Sequence, residues 1–231
     1  EDSQEQSELQ GEEVTAPVTV VDGKTTAQVT VGTDLLTRAV NTGKQTKQEM
    51  EERDTTGNQI VKLTAVIEVK PEQDATRVET TLPLDRLQDI ERTEGAQFSV
   101  VTPVGSITFE TAAFLGDQVA GAGDTLELGM ERVSPSDVPA DADVPADAVI
   151  VSLSAKVNGQ SITEFSQPLT VRVPYTLKEG EDPNNVTVFL LREDGTLQAM
   201  GGRYNPETGL VTFVTDHFSK FFAKVATADF P

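Results

Sequence analysis

Residues 149–173 read VIVSLSAKVNGQSITEFSQPLTVRV, and this stretch decides the fold class. From Val151 the run alternates apolar and polar side chains, Val151, Leu153, Ala155 and Val157 against Ser152, Ser154 and Lys156. Successive side chains of a strand point to opposite faces, so such a run buries one face and wets the other. Asn158-Gly159 follows, the residue pair that most readily adopts the positive φ of a two-residue hairpin. Ser161–Phe165 is the returning strand and Leu169–Val173 a third. Downstream, Val186–Leu191, Leu210–Val214 and Phe221–Val225 repeat the pattern. Turn residues Glu193-Asp194-Gly195 and Asn205-Pro206-Glu207-Thr208-Gly209 separate them. Regularly spaced short strands predict an antiparallel β-sandwich over residues 149–231.

Upstream the pattern is mixed. Val18–Val21 and Ala27–Val31 flank Asp22-Gly23-Lys24, a second hairpin signal. Thr33 or Asp34 caps a helix through Leu35, Leu36, Ala39 and Val40, and the polar stretch Asn41–Asn58 either continues it or forms a loop. Ile60–Val69 and Arg77–Leu82 are β-branched strands joined across Pro71-Glu72-Gln73-Asp74. Pro83 stands at the start of a helix carrying Leu84, Leu87 and Ile90 on one face, with Gly95 just past its end. Gln97–Thr102 and Ser106–Phe109 form another strand pair, Glu110–Leu115 a helical turn, and Thr125–Val133 a strand.

The expected class is mainly β with some α: an α+β N-terminal part and a C-terminal antiparallel β-sandwich. Residues 1–13 (EDSQEQSELQGEE) carry no repeating apolar pattern and read as a disordered acidic lead. An α+β domain is expected over 14–133 and the β-sandwich over 149–231. Between them, 134–148 contains VPADA twice, at Val138–Ala142 and Val144–Ala148; its prolines predict an extended loop or linker.

Composition narrows the chemistry. The 231 residues include 38 acidic against 18 basic side chains, a formal charge of −20, which opposes binding to nucleic acid phosphates. With no cysteine and one histidine, thiol catalysis, disulfides and multi-histidine or cysteine-ligated metal sites are excluded. No apolar run reaches the roughly 20 residues of a membrane-spanning helix. No cofactor is expected. Asp137, Asp141, Asp143 and Asp147 are spaced along one loop and are the candidate ligands for calcium, which takes several oxygens, although the run lacks the glycine and glutamate of an EF-hand loop. Sugar platforms stack on exposed aromatic rings. With no Trp and only Tyr175 and Tyr204, glycan binding is not expected.

A resemblance adds to this reading. VPYTLKEGEDP at 173–183, strands around EDG, GRYNPETG at 202–209 and TDHFSKF at 215–221 occur in that order between Leu169 and Ala226. Together they resemble a module common in Gram-positive bacterial surface proteins, often found beside S-layer homology domains that anchor to the cell wall. TLPLDRLQDI and FSVVTPVGSITFETAAF, at 81–90 and 98–114, are similar to the region that precedes that module. The closing Phe230-Pro231 also matches how an S-layer homology repeat often begins. The resemblance implies an extracellular, cell-wall or S-layer location. It implies a display, adhesion or lattice role with other surface proteins or cell-wall components as partners.

His217-Phe218-Ser219 also resembles the self-cleavage signature of ZU5-type domains, in which the bond between Phe and Ser breaks near the end of a β-sandwich. That chemistry needs Ser219 Oγ to attack the Phe218 carbonyl, with His217 accepting a proton or straining the peptide, and then ester hydrolysis. The competing expectation is structural: Phe218 fills the core, Ser219 bonds backbone and His217 is satisfied by Asp216. The sequence therefore leaves open a non-catalytic surface module, a self-cleaving domain and a polysaccharide-binding module.

Overall fold

The computed structural model describes residues 11–58 and 60–226, with 46% of the structure in strands and 20% in helices, a mainly β fold with some α. The N-terminal part contributes β1 (Glu12–Ala16), β2 (Val18–Val21), β3 (Lys24–Thr30), α1 (Thr33–Arg53), β4 (Thr64–Pro71), β5 (Arg77–Pro83), α2 (Leu84–Glu94), β6 (Gln97–Val101), β7 (Ser106–Phe109), α3 (Ala112–Leu115) and β8 (Thr125–Val133). The remainder contributes β9 (Ile150–Val157), β10 (Gln160–Ile162), β11 (Glu164–Pro174), β12 (Val186–Leu191), β13 (Leu197–Gly201), β14 (Arg203–Asn205), β15 (Leu210–His217) and β16 (Lys220–Val225).

These strands form two sheets. The seven-stranded sheet has the order β1-β4-β6-β7-β11-β15-β14. The nine-stranded sheet has the order β13-β12-β16-β9-β8-β5-β3-β2, with β10 paired to β9. Both sheets cross the expected division of the chain: β7 pairs with β11 in one and β8 with β9 in the other. Inner-face residues from both sheets, from Ala16 to Ala223, share one apolar cluster, which is how sandwich-like layers remove their apolar faces from water.

The chain builds this interior by alternating between sheets. Pro71–Asp74 is such a crossing and not a hairpin turn: β4 pairs in parallel with β1 and β6 in one sheet, whereas β5 pairs with β3 and β8 in the other. Both expected hairpins form, each across two residues: Lys24, read as part of the first turn, already pairs in β3, and the run read as one returning strand, Ser161–Phe165, is divided between β10 in one sheet and β11 in the other. Asp22-Gly23 and Asn158-Gly159 all have positive φ, with Val21 opposite Lys24 and Val157 opposite Gln160. At the far end, Gly201-Gly202 carries the chain from β13, the edge of one sheet, to β14, the edge of the other. Gly202 has φ 128°, and a Cβ there would lie 3.0 Å from Val211 Cγ1, so a side chain is doubly disfavoured.

Two expectations are corrected. Glu12 and Glu13, assigned to the acidic lead, lie in β1 beside β4; residues 1–10 lie outside the described residues, as does 227–231. Residues 134–148, expected as a loop or linker, are a loop and not a linker between separate domains. They connect adjacent antiparallel strands of one sheet, whose ladder closes at Val133 and Ile150.

Helix α1 runs on through the polar stretch to Arg53, and its buried stripe continues through Gly43, Thr46 and Met50. Gly43 is what permits this: a Cβ there would lie 2.3 Å from the Thr64 carbonyl oxygen of β4. Helix propensity alone favours Gly→Ala by about 1 kcal/mol. Close approach to backbone reverses the sign, so Gly43→Ala is expected to destabilise the fold by roughly 1–3 kcal/mol in equilibrium denaturation. Unchanged or raised stability would mean that α1 does not pack this closely on β4.

Candidate functional site

The His217-Phe218-Ser219 tripeptide is a sheet crossing. His217 ends β15 opposite Glu164 of β11, in the seven-stranded sheet, and Lys220 begins β16 opposite Ser152, in the nine-stranded sheet. The backbone is fastened on both sides. Phe218 N–H donates to the Thr163 carbonyl at 3.1 Å, and Leu153 N–H donates to the Ser219 carbonyl at 3.0 Å. Thr215 Oγ1 donates to the His217 carbonyl at 2.7 Å and accepts from His217 N–H at 3.3 Å.

Phe218 between them is buried. Its ring meets Phe165 edge-on, with centroids 4.6 Å apart. Phe165 continues the contact to Phe114, Phe109 and Phe98, an aromatic row running between distant parts of the chain. Edge-to-face pairs at such separations add to the burial of the rings themselves.

The side chains flanking Phe218 are not joined as nucleophile and base. His217 Nδ1 lies 2.8 Å from Asp216 Oδ1, and this hydrogen bond holds the Asp216 carboxyl below its ordinary range. Among the described residues, Ser219 Oγ makes no hydrogen bond, and no N–H donates to the Phe218 carbonyl where an oxyanion would need one. Among the described residues the positive-φ non-glycine residues are Asp22 and Asn158, so the tripeptide carries no left-handed strain.

The four aspartates of the calcium expectation are not gathered into one site, and no group of three or more His, Cys, Asp or Glu placed to hold a metal occurs among the described residues. Asp143 pairs with Lys224 at 2.6 Å, while Asp147 pairs with Lys178 at 2.7 Å. Asp137 sits in a short 3-10 turn, Pro135–Asp137, and Asp141 is exposed near Gly195. The loop points its apolar residues inward and its carboxylates outward. Each VPADA repeat makes the same turn, Ala142 N–H to Pro139 carbonyl and Ala148 N–H to Pro145 carbonyl, both 3.0 Å. Val138, Ala142, Val144 and Ala148 thereby pack over Ile150, Leu191 and Phe222 on the outer face of the nine-stranded sheet.

Beside the second repeat lies a half-open groove of about 740 Å³. Pro145, Tyr175, Lys178, Glu181, Asn185 and Lys224 are among the residues that line it. Glu181 organises one wall by accepting from Tyr175 Oη at 2.7 Å and from Lys178 N–H at 2.8 Å. These two donors hold the Glu181 carboxyl below its ordinary range, the backbone N–H first. Burial, and then the Glu181 carboxylate, push the Tyr175 hydroxyl up. Much of the VPYTLKEGEDP wording is thus turn construction. Asp182 likewise accepts from Asn184 N–H at 2.9 Å at the start of a 3-10 turn. Tyr175 meets Tyr204 edge-on at 5.9 Å, leaving no paired flat platform for a sugar ring.

The groove and the tyrosine–glutamate pair were not signalled in the sequence, and the strap-like packing of 134–148 was not read from it. The repeated VPADA spacing, with an apolar residue at its first and last positions, was the available sign of the packing. No protein-family model matches the chain, and no curated protein matches it in sequence.

Two outcomes test this geometry. Phe218→Ala removes a buried ring and is expected to cost about 3–5 kcal/mol in denaturant unfolding, whereas His217→Ala, half-exposed, costs less than about 1. Equal effects would contradict the assignment of Phe218 as the anchor. The Lys178 hydrogen bond holds the Asp147 carboxyl below its ordinary value of 3.8. The ionised form is therefore the one stabilised by folding. That contribution is complete above the ordinary carboxylate range and lost as pH falls through the lowered value. Carboxyl-detected NMR titration is expected to show Asp147 returning to its ordinary value in Lys178→Met.

Proposed function

We propose that this chain is a non-catalytic extracellular structural and interaction module of a bacterial cell-wall or S-layer-associated surface protein. The Gram-positive surface module that its C-terminal wording resembles supplies the location, and other surface proteins or cell-wall components are its partners. The observation that carries the non-catalytic reading is the construction of the histidine motif. Phe218 is a core anchor, and His217 and Ser219 fasten backbone in opposite sheets while their side chains share no hydrogen bond. The reading also rests on two broad sheets around one interior, a scaffold suited to bearing load or spacing other domains. The groove beside Tyr175 and Lys178 is the recess in which a partner's polar group would sit.

A second reading, self-cleavage between Phe218 and Ser219, is favoured by one feature. Ser219 is half-exposed at a strand connection with its hydroxyl uncommitted among the described residues. Cleavage would form an ester between Ser219 Oγ and the Phe218 carbonyl carbon with transfer of the acyl group from nitrogen, and water would then release the Phe218 carboxylate.

Denatured intact mass and co-sedimentation with isolated Gram-positive cell-wall sacculi separate the readings. One unbroken chain in both wild type and Ser219→Ala, together with sedimentation of both, is expected. A break after Phe218 in wild type alone would establish self-cleavage. Absence of sedimentation, with or without an S-layer preparation added, would remove the surface-module reading. Release by soluble wall polysaccharide would instead favour glycan binding.

A further inference from the structure

The connection between β8 and β9 is far longer than its job requires. Val133 and Ile150 already face each other in the ladder, and an antiparallel pair can be closed by two residues. Residues 134–149 are instead laid across the outer face of their own sheet.

Their attachment to that face is slight. The backbone–backbone hydrogen bonds that begin within the segment also end within it: Asp137 to Ser134, Ala142 to Pro139, Val144 to Ala142 and Ala148 to Pro145. None of these ties the segment to the sheet below. Apolar contact comes from small side chains, Val138, Ala142, Val144 and Ala148. Beyond these, Lys224 bonds the Asp143 carbonyl and carboxylate, and Lys178 bonds the Asp147 carboxylate. The Asp143 and Asp147 side chains are 87% and 63% exposed against 21% and 54% for Lys224 and Lys178, and ion pairs whose carboxylate is so exposed hold little.

What the segment covers is, by contrast, strongly apolar. Ile150 and Phe222 are fully buried and Leu191 nearly so. They belong to a cluster separate from the main interior. Neighbours in sequence fall on opposite sides of the sheet: Leu190 faces the main core and Leu191 the covered strip, and Val151 and Ile150 divide in the same way.

We propose that residues 134–149 are a strap that opens as a local unit, uncovering the strip Ile150, Leu191 and Phe222 while both sheets remain intact. The ladder from Val133 and Ile150 inward needs nothing from the strap, so opening breaks no sheet hydrogen bond. Its two ends stay tethered to adjacent strands, so closure is an intramolecular return over a short loop. Regions with few apolar contacts and no backbone bonds to their surroundings open at far lower free energy than the whole fold. The two lysine–aspartate pairs set how often this one does so.

The absence of native cysteine allows a direct test by thiol labelling of the folded chain. Leu190→Cys and Leu191→Cys make the same chemical change at adjacent, equally buried positions, 4% and 3% exposed, on the two faces of β12. When closing outpaces labelling, the rate reports the open population. Leu191→Cys is expected to label at least about tenfold faster than Leu190→Cys under native conditions. Adding Asp143→Asn and Asp147→Asn should raise the Leu191→Cys rate a further roughly two- to fivefold, in line with weak exposed pairs, and leave Leu190→Cys unchanged. Ile150→Cys and Val151→Cys repeat the comparison on β9, so a folding defect at one position does not decide the result. Equal rates within both pairs, or charge removal that accelerates both faces alike, would overturn the proposal.

Discussion

Two sheets built from interleaved segments must bury their inner faces against each other, and everything else in the molecule follows from that constraint. Neither half of the chain owns a sheet. The N-terminal part supplies four strands of one and four of the other, so removing either half would leave apolar faces open on both. Burial at about 25 cal/mol per Å² of apolar surface rewards closing this single interior far more than closing two smaller ones.

The cost of interleaving falls on the crossings, where backbone groups leave one ladder before joining another. Hydrogen bonds meet it at several of them. Gln28 N–H reaches the Pro17 carbonyl, Glu72 N–H the Ala16 carbonyl, and Phe218 N–H the Thr163 carbonyl. Gly201-Gly202 makes the turn that closes the edge, with φ values open to glycine. In this light His217-Phe218-Ser219 is one crossing among several. Its buried ring fixes the point at which β15 becomes β16, and its resemblance to a cleavage signature coexists with a plain structural task.

Outer faces are treated differently. Most of the strand residues there are polar, but around Phe222 the nine-stranded sheet is apolar on both sides. A sheet apolar on both faces needs a cover on each, and the second cover is the segment between β8 and β9. Its prolines hold the chain extended enough to reach across the strands, and its repeated turn presents Val and Ala to the sheet while Asp faces water.

Local signals in the sequence were sufficient for local structure. Short β-rich runs marked β9, β12, β15 and β16, Asp22-Gly23-Lys24 and Asn158-Gly159 marked hairpins, and Leu84, Leu87 and Ile90 with Gly95 marked a complete helix, because each depends on neighbours a few residues apart; β13 and β14 carried no such run. The full length of α1 was hidden, since its second half is buried through Gly43 and Thr46, residues that look polar or helix-breaking until the Thr64 backbone is placed beside them. The sequence by itself determined the mainly β class, the hairpins, and the lack of thiol and multi-histidine chemistry. Only the tertiary structure decided that Pro71–Asp74 is a crossing, that 134–149 is a cover, that four spaced aspartates do not converge, and that Tyr175 and Lys178 edge a groove. Those outcomes depend on which strands become partners across long stretches of chain, and pairing over such distances is set by the shared interior, which no short run of residues encodes.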